Sequence, residues 1–110
     1  MTDYMIQISY STAAWAALVR KPENRIEAVK KVIEKLGGKM GGFWFSFGDH
    51  DLVGMIEMPD AVAVAAFSMA VAAGGACKAV KTTPLLNVQQ GLEALKKAGA
   101  SGYKPVGAKK

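Results

Sequence analysis

Apolar and polar residues alternate along residues 4–10, and this alternation predicts a β-strand at the start of the chain. Successive side chains of a strand point to opposite sides, so the segment has two distinct faces. One face carries Tyr4, Ile6, Ile8 and Tyr10, and the other carries Met5, Gln7 and Ser9. The strand therefore belongs to a sheet with one strongly apolar side.

The spacing of apolar residues changes to a helical period after this strand. Ser11 or Thr12 caps a short helix starting at Ala13, and a break is expected near 20–22, because Pro22 lacks a backbone donor. A longer helix follows. Its apolar stripe consists of Ile26, Val29, Val32, Ile33 and Leu36. Gly37 and Gly38 end it, since glycine readily adopts the left-handed conformation that follows a helix.

Three further β-strands and two further helices are predicted in the rest of the chain. The strands cover 39–47, 51–58 and 77–83, and a turn at 48–50 joins the first two. Asp60 caps a mainly apolar helix that ends at 74–75, and Asn87 caps the last helix. In this last helix Val88, Leu92 and Leu95 are expected to face inward.

This order defines an α+β, ferredoxin-like βαββαβ unit with a C-terminal helix and a four-stranded antiparallel sheet. Both crossover helices cover one face of such a sheet, and the other face is too apolar to stay exposed. We therefore expect sheet-to-sheet pairing with a second copy, as in a dimeric α/β barrel. Residues 1–98 form the domain, and residues 99–110, rich in Gly, Ser, Pro and Lys, form a flexible basic tail.

Composition narrows the range of partners. A chain of 110 residues with 51% hydrophobic content forms one domain with a real core. The net charge of +5 comes largely from lysines and arginines interspersed with glutamates, which is typical of a solvated helix face and argues against nucleic acid. The uncharged run 61–77 is shorter than the roughly 20 residues of a membrane span. No signal peptide is apparent, and a cytoplasmic protein that does not enter a membrane is expected.

His50 and Glu57 are the candidates for acid–base chemistry. His50 is the only histidine and lies in the turn, where it could instead simply hydrogen-bond a neighbouring aspartate. Glu57 ends an apolar strand, where burial would raise its pKa, although pairing with Lys78 or Lys81 is the simpler alternative.

The candidate ligand-binding residues are Gln7, Ser9, Trp44 and Asp51. The first two are polar groups within a strand, and Trp44 belongs to a group of aromatic residues that more often form core. On a regular strand Asp51 and Glu57 would lie about 20 Å apart, too far to share one ion. With one histidine and one cysteine, Cys77, no metal site, cofactor or intrachain disulfide is predicted.

The order of several of these residues resembles the sequence pattern of the GYD-domain family, a family whose biochemical role is largely unassigned. The resemblance rests on Tyr4–Ser11, Gly48, Asp51, Leu52, Val53, Glu57, Pro59, Asp60, Thr82, Thr83 and Leu86. His50 stands where the family usually has tyrosine. The resemblance implies a fold like that of the dimeric α/β-barrel superfamily, which includes monooxygenases, isomerases and ligand-binding regulators.

Two functions are therefore compatible with the sequence. The favoured one is a small homo-oligomeric binding or accessory protein with a small-molecule cleft between sheet and helices, because no nucleophile–base pair or cofactor motif is present. The alternative is a cofactor-independent enzyme, monooxygenase- or isomerase-like, that acts on a small apolar substrate and uses His50 or Glu57 to move a proton.

Overall fold

A computed structural model describes residues 1–107 of the chain, which fold into four β-strands and four α-helices. The strands are β1 (Thr2–Tyr10), β2 (Lys39–Phe45), β3 (Leu52–Met58) and β4 (Cys77–Leu85). The helices are α1 (Thr12–Arg20), α2 (Arg25–Lys35), α3 (Ala61–Ala73) and α4 (Val88–Gly99). The predicted break in the first helical region is confirmed, but α2 is capped by Asn24, so Pro22 lies in the connection before it.

The strands form one antiparallel sheet in the order β2-β3-β1-β4. This order places β1 and β3 in the centre and confirms the ferredoxin-like α+β arrangement. Each residue of β1 pairs with residues of β3 and β4 that lie on the same face of the sheet. Ile6, for example, lies opposite Gly54 of β3 and Thr82 of β4. The two faces predicted for β1 therefore extend across the sheet.

The core lies between one face of the sheet and the helices α2 and α3. It consists of Tyr4, Ile6, Ile8, Tyr10, Ile33, Leu52, Ile56, Met58, Val64 and Phe67. Phe67 and Ile33 supply the helical side of this layer and are fully buried. Both helices begin at a capping side chain, Asp60 for α3 and Asn24 for α2, which accepts a hydrogen bond from a backbone N–H of the first turn.

The opposite side of the sheet, here called the open face, carries the alternate residues of the four strands. It consists of Asp3, Met5, Gln7, Ser9, Lys39, Gly42, Trp44, Val53, Met55, Glu57, Ala79, Lys81, Thr83 and Leu85. Ser9 is the buried member of this set. Trp44 keeps 59% of its surface exposed.

Two glycines allow close packing around β2. A Cβ on Gly38 would lie 2.5 Å from the carbonyl oxygen of Glu57, so only glycine fits there. Between Met40 and Gly42 the β2–β3 register shifts by one residue, a β-bulge at Gly41. The glycine pair at 41–42 predicts a bulge or a close backbone approach in this strand, and the structure has the bulge at Gly41.

The C-terminal helix differs from its prediction. Val88, Leu92 and Leu95 were expected to face inward, yet α4 has no buried residue and all three are exposed. An amphipathic pattern identifies an apolar face but does not say what that face contacts. Residues 100–107 form no helix or strand, and residues 108–110 of the predicted tail lie outside the described part of the chain.

The uncharged segment whose length was compared with a membrane span contains α3. Within residues 1–107, no helix combines the length and the hydropathy that a bilayer crossing requires.

Candidate functional site

The loop 46–51 between β2 and β3 is tied to the end of β1. The backbone N–H of Asp51 donates to the carbonyl of Ile8 over 2.8 Å, and Ser46 N–H donates to the carbonyl of Asp51 over 2.9 Å. The side chain of Ser46 also donates to the carbonyl of His50. The loop is longer than the predicted tight turn, and Asp51 precedes β3 instead of occupying it.

Asp51 joins three elements through one carboxylate oxygen. Its Oδ2 accepts the backbone N–H of Tyr10 over 2.7 Å and the indole Nε1–H of Trp15 over 3.2 Å. A carboxylate forms stronger hydrogen bonds than a neutral acceptor, because its charge adds to the attraction. Asp51 therefore holds α1, through Trp15, against the end of β1.

His50 contacts the open-face side of the same strand. Its Nδ1 lies 3.3 Å from Ser9 Oγ, and this hydroxyl also lies 3.5 Å from the carbonyl oxygen of Asp49, to which it donates. These contacts explain why Ser9, a polar residue, is buried. The His50 ring thus contacts Ser9 and not a neighbouring aspartate, which was the alternative that the sequence offered.

Tyr10 and Trp15 form an aromatic pair beside Asp51. Their ring centroids are 5.3 Å apart and the ring planes are inclined by 80°, an edge-to-face arrangement. Burial raises the pKa of the Tyr10 hydroxyl, and the nearby Cys77 raises it further, while the positive charge of Arg25 opposes both effects. The hydroxyl is therefore a neutral hydrogen-bonding group throughout the physiological range.

This pair forms one wall of a cleft of about 550 Å³, here called the aromatic cleft. The ends of three strands form its floor, and α1 together with the connection to α2 forms its roof. The cleft is lined by Tyr10, Trp15, Leu18, Val19, Pro22, Glu23, Asn24, Arg25, Ile26, Phe45 and Leu52. Aliphatic and aromatic side chains dominate, and the charged members at its edge, Glu23 and Arg25, form an ion pair over 3.3 Å.

A second cavity of about 230 Å³ lies on the same side of the sheet, between α2 and α3. It shares Tyr10, Arg25 and Leu52 with the aromatic cleft. Cys77 lies at its margin, where burial raises the pKa of the thiol and Arg25 partly offsets the rise. Arg25 is thus the cationic group nearest to both spaces.

The structure distributes the sequence-predicted site residues over two other regions. Gln7, Ser9, Trp44 and Glu57 belong to the open face, and His50 and Asp51 to the loop. Glu57 is exposed at the far end of β3 from His50, so these two side chains are not brought together. None of the six lines either cavity.

Sequence reasoning missed the residues that shape the cleft, chiefly Tyr10, Leu18 and Arg25. Tyr10 belongs to the alternating pattern of β1, and Trp15 belongs to the aromatic residues that a sequence assigns more often to a core than to a pocket. A detectable signal existed in Pro22, because the helix break opens the space between α1 and α2 that the cleft occupies. Among residues 1–107, no three side chains of histidine, cysteine, aspartate or glutamate converge in a way that could hold a metal ion.

The four-stranded sheet with helices on one face defines a ferredoxin-like domain, and comparisons assign it to a family. The GYD domain matches residues 4–95, so the chain belongs to the GYD-domain family. Comparison with curated proteins gives no match. Among solved structures, the crystal structure of TTHA0845 from Thermus thermophilus is similar with 15% identity and a TM-score of 0.47, covering 80% of this chain and 96% of the other.

Proposed function

We propose that this protein is a small homo-oligomeric binding or accessory protein that holds a small, mainly apolar molecule in the aromatic cleft. The observation that carries the proposal is the cleft itself. Its volume of about 550 Å³ suits a small ligand, because ligand pockets typically measure roughly 300–1,000 Å³ and are lined by apolar and aromatic groups with a few polar ones. A cytoplasmic location is part of this proposal, and the single cysteine, which allows no intrachain disulfide, is compatible with it.

The walls of the cleft are suited to a flat apolar molecule. The Trp15 ring packs edge-to-face on the Tyr10 ring, the Tyr10 side chain is buried, and the indole N–H of Trp15 also donates to Asp51. Aromatic side chains that are fixed before binding lose little conformational freedom when a ligand arrives. The ion pair of Glu23 and Arg25 at the edge supplies the polar groups that would orient such a ligand.

Neutral N-phenyl-1-naphthylamine, whose fluorescence increases in apolar surroundings, tests this proposal. We expect saturable binding that Val19→Glu weakens several-fold, since Val19 lines the cleft and a bound apolar probe would take water away from a carboxylate there. Val62→Glu is the matched control, because Val62 is a helical valine of similar exposure (79% against 77%) that lies outside both cavities.

The result that contradicts the proposal is equal binding by both variants, or no saturable binding by the wild-type protein. In a Trp44→Phe background, Trp15 is the only tryptophan. Quenching of its fluorescence by the bound probe then provides a second measurement of binding in the cleft. The enzymatic alternative with His50 or Glu57 receives no support from this geometry, because neither residue lines the cleft.

We also propose that a second copy covers the open face. Its central residues Met5, Val53 and Met55 are apolar and only half-buried, and Trp44 beside them is largely exposed. Contiguous apolar surface of this kind commonly marks an interaction site. Pairing around a two-fold axis would bring the same patch of both copies together, which is the usual symmetry of homodimers.

A further inference from the structure

The C-terminal helix α4 presents an apolar stripe that no other part of residues 1–107 buries. Val88, Leu92 and Leu95 follow one another at spacings of four and three residues, so they lie on one side of the helix. Their exposed fractions are 83%, 46% and 70%. The opposite side carries Gln90, Glu93 and Lys97, as expected of a solvated surface.

The helix is nevertheless well defined at its start. Asn87 Oδ1 accepts the backbone N–H of Gln90 over 2.8 Å, and Gln90 Oε1 accepts the backbone N–H of Asn87 over 3.0 Å, a complete capping box. Lysines 96 and 97 occupy the last turn, where positive charge is favourable. Even so, isolated helices shorter than about 12–15 residues are marginal in water, so α4 needs packing to remain helical.

The elongated dimensions of the chain agree with an α4 that does not pack against the sheet and the other helices of the same chain. The principal extents are 63 × 32 × 22 Å and the radius of gyration is 17.9 Å. A compact chain of this length has a radius of gyration of about 13 Å. Only Leu86 and Asn87 separate β4 from α4, and no residue of α4 is buried.

The open face offers a complementary surface. Its centre is apolar, and its edge holds an unfavourable pair, since Asp3 and Glu57 are direct cross-strand partners with like charge. Lys39 lies opposite Glu57 on the other side. Lys96 flanks the apolar stripe of α4, so a helix packed here would bring a further positive charge to these carboxylates.

We propose that α4 of one copy packs across the open face of a second copy, and that the second copy returns the same contact. This inference rests on the proposed pairing of the open face and names the element that completes it. Each chain then buries the two apolar surfaces that it cannot bury alone, and the contact closes on itself because both copies exchange the same helix.

Sedimentation velocity of the full chain tests the exchange. We expect a wild-type dimer, a dissociation constant at least tenfold weaker for Leu95→Glu, and an unchanged one for Gln89→Glu, which places the same charge outside the stripe. Glutamate is a good helix former, so neither variant breaks α4. Met55→Glu should also weaken the dimer, because Met55 lies on the open face.

Disulfide trapping then identifies which surfaces touch. In a Cys77→Ser background, a chain with Leu95→Cys is mixed with a chain with Met55→Cys and oxidised. A disulfide between these two chains can only form between copies, so the mixed cross-linked dimer is the expected product. A Leu95→Cys chain that cross-links only to itself would show that α4 pairs with α4 and would overturn the inference.

The failures of the two proposals are distinguishable. A monomeric wild-type protein refutes both the pairing of the open face and the helix exchange. A dimer that Met55→Glu weakens but Leu95→Glu leaves intact retains the pairing and refutes the exchange. Binding of the naphthylamine probe in the aromatic cleft is measured separately and depends on neither.

Discussion

Removing the carboxylate of Asp51 should destabilise the fold more than its partly exposed position suggests. In Asp51→Ala, the backbone N–H of Tyr10 loses its acceptor at 2.7 Å, and the indole N–H of Trp15 loses its acceptor at 3.2 Å. A buried donor left without a partner costs about 1–3 kcal/mol. The indole lies in an exposed contact and can turn to water, so it adds little.

We therefore expect Asp51→Ala to lower the free energy of unfolding by about 2 kcal/mol. Asp51→Asn should lose roughly half as much, since its amide oxygen still accepts a hydrogen bond but without the carboxylate charge. Urea unfolding followed by circular dichroism measures both values. For a protein of this size, a loss of about 2 kcal/mol moves the urea midpoint by roughly 1 M.

Asp49→Ala is the matched control, because Asp49 is an exposed aspartate of the same loop whose carbonyl, but not its side chain, makes the hydrogen bond to Ser9. Its effect should stay within about 0.5 kcal/mol, as for most surface substitutions. If Asp51→Ala unfolds at the same urea concentration as Asp49→Ala, the hydrogen bond from the Tyr10 backbone N–H to the Asp51 carboxylate contributes nothing to stability and the reasoning is wrong.

Three further predictions follow from packing and from the raised pKa values. Gly38→Ala should lower the free energy of unfolding by about 1–3 kcal/mol in the same urea assay, whereas Gly48→Ala, with open space around it, should have little effect. Iodoacetamide should alkylate Cys77 more slowly than free cysteine at pH 8, and Arg25→Gln should slow it further, because Arg25 lowers the raised pKa of the thiol. The fold should lose stability as pH rises past the ordinary values of Cys77 (9.0) and Tyr10 (10.0), because the folded state keeps both protons longer than the unfolded state; thermal melts that are flat across this range would contradict the burial of these groups.

The strands and most helix boundaries were predictable from the sequence because local signals agree with the fold. The alternation in β1, the cap at Asp60 and the helix break before α2 each have a short-range physical cause. The sequence separates the two faces of β1 but leaves open which one meets the helices; the structure places Tyr4, Ile6, Ile8 and Tyr10 in the core.

The site was harder to predict because it depends on contacts between distant parts of the chain. Asp51 was placed on a strand, whereas its hydrogen bonds to Tyr10 and Trp15 keep it in the loop, 41 and 36 residues away in sequence. The aromatic cleft lies where α1 and α2 separate, and a residue pattern along the chain does not show how far apart two helices lie. The apolar stripe of α4 was recognisable in the sequence, but the surface that covers it was not. An amphipathic pattern identifies an apolar face and does not say what this face contacts.

The bulge at Gly41 determines the partition of the two neighbouring aromatic residues. With the extra residue, Phe43 lies opposite Gly54 on the helix side and Trp44 lies opposite Val53 on the open side. If every residue were kept and the bulge removed, a regular ladder continued from Met40 would place Phe43 opposite Val53 and Trp44 opposite Leu52, because strand geometry repeats every two residues. The register of β2 therefore decides which aromatic ring packs in the core against Gly54 and which lies on the open face. Deleting Gly41 would remove the bulge and leave both rings on their present sides, so the extra residue can be lost without exposing Phe43.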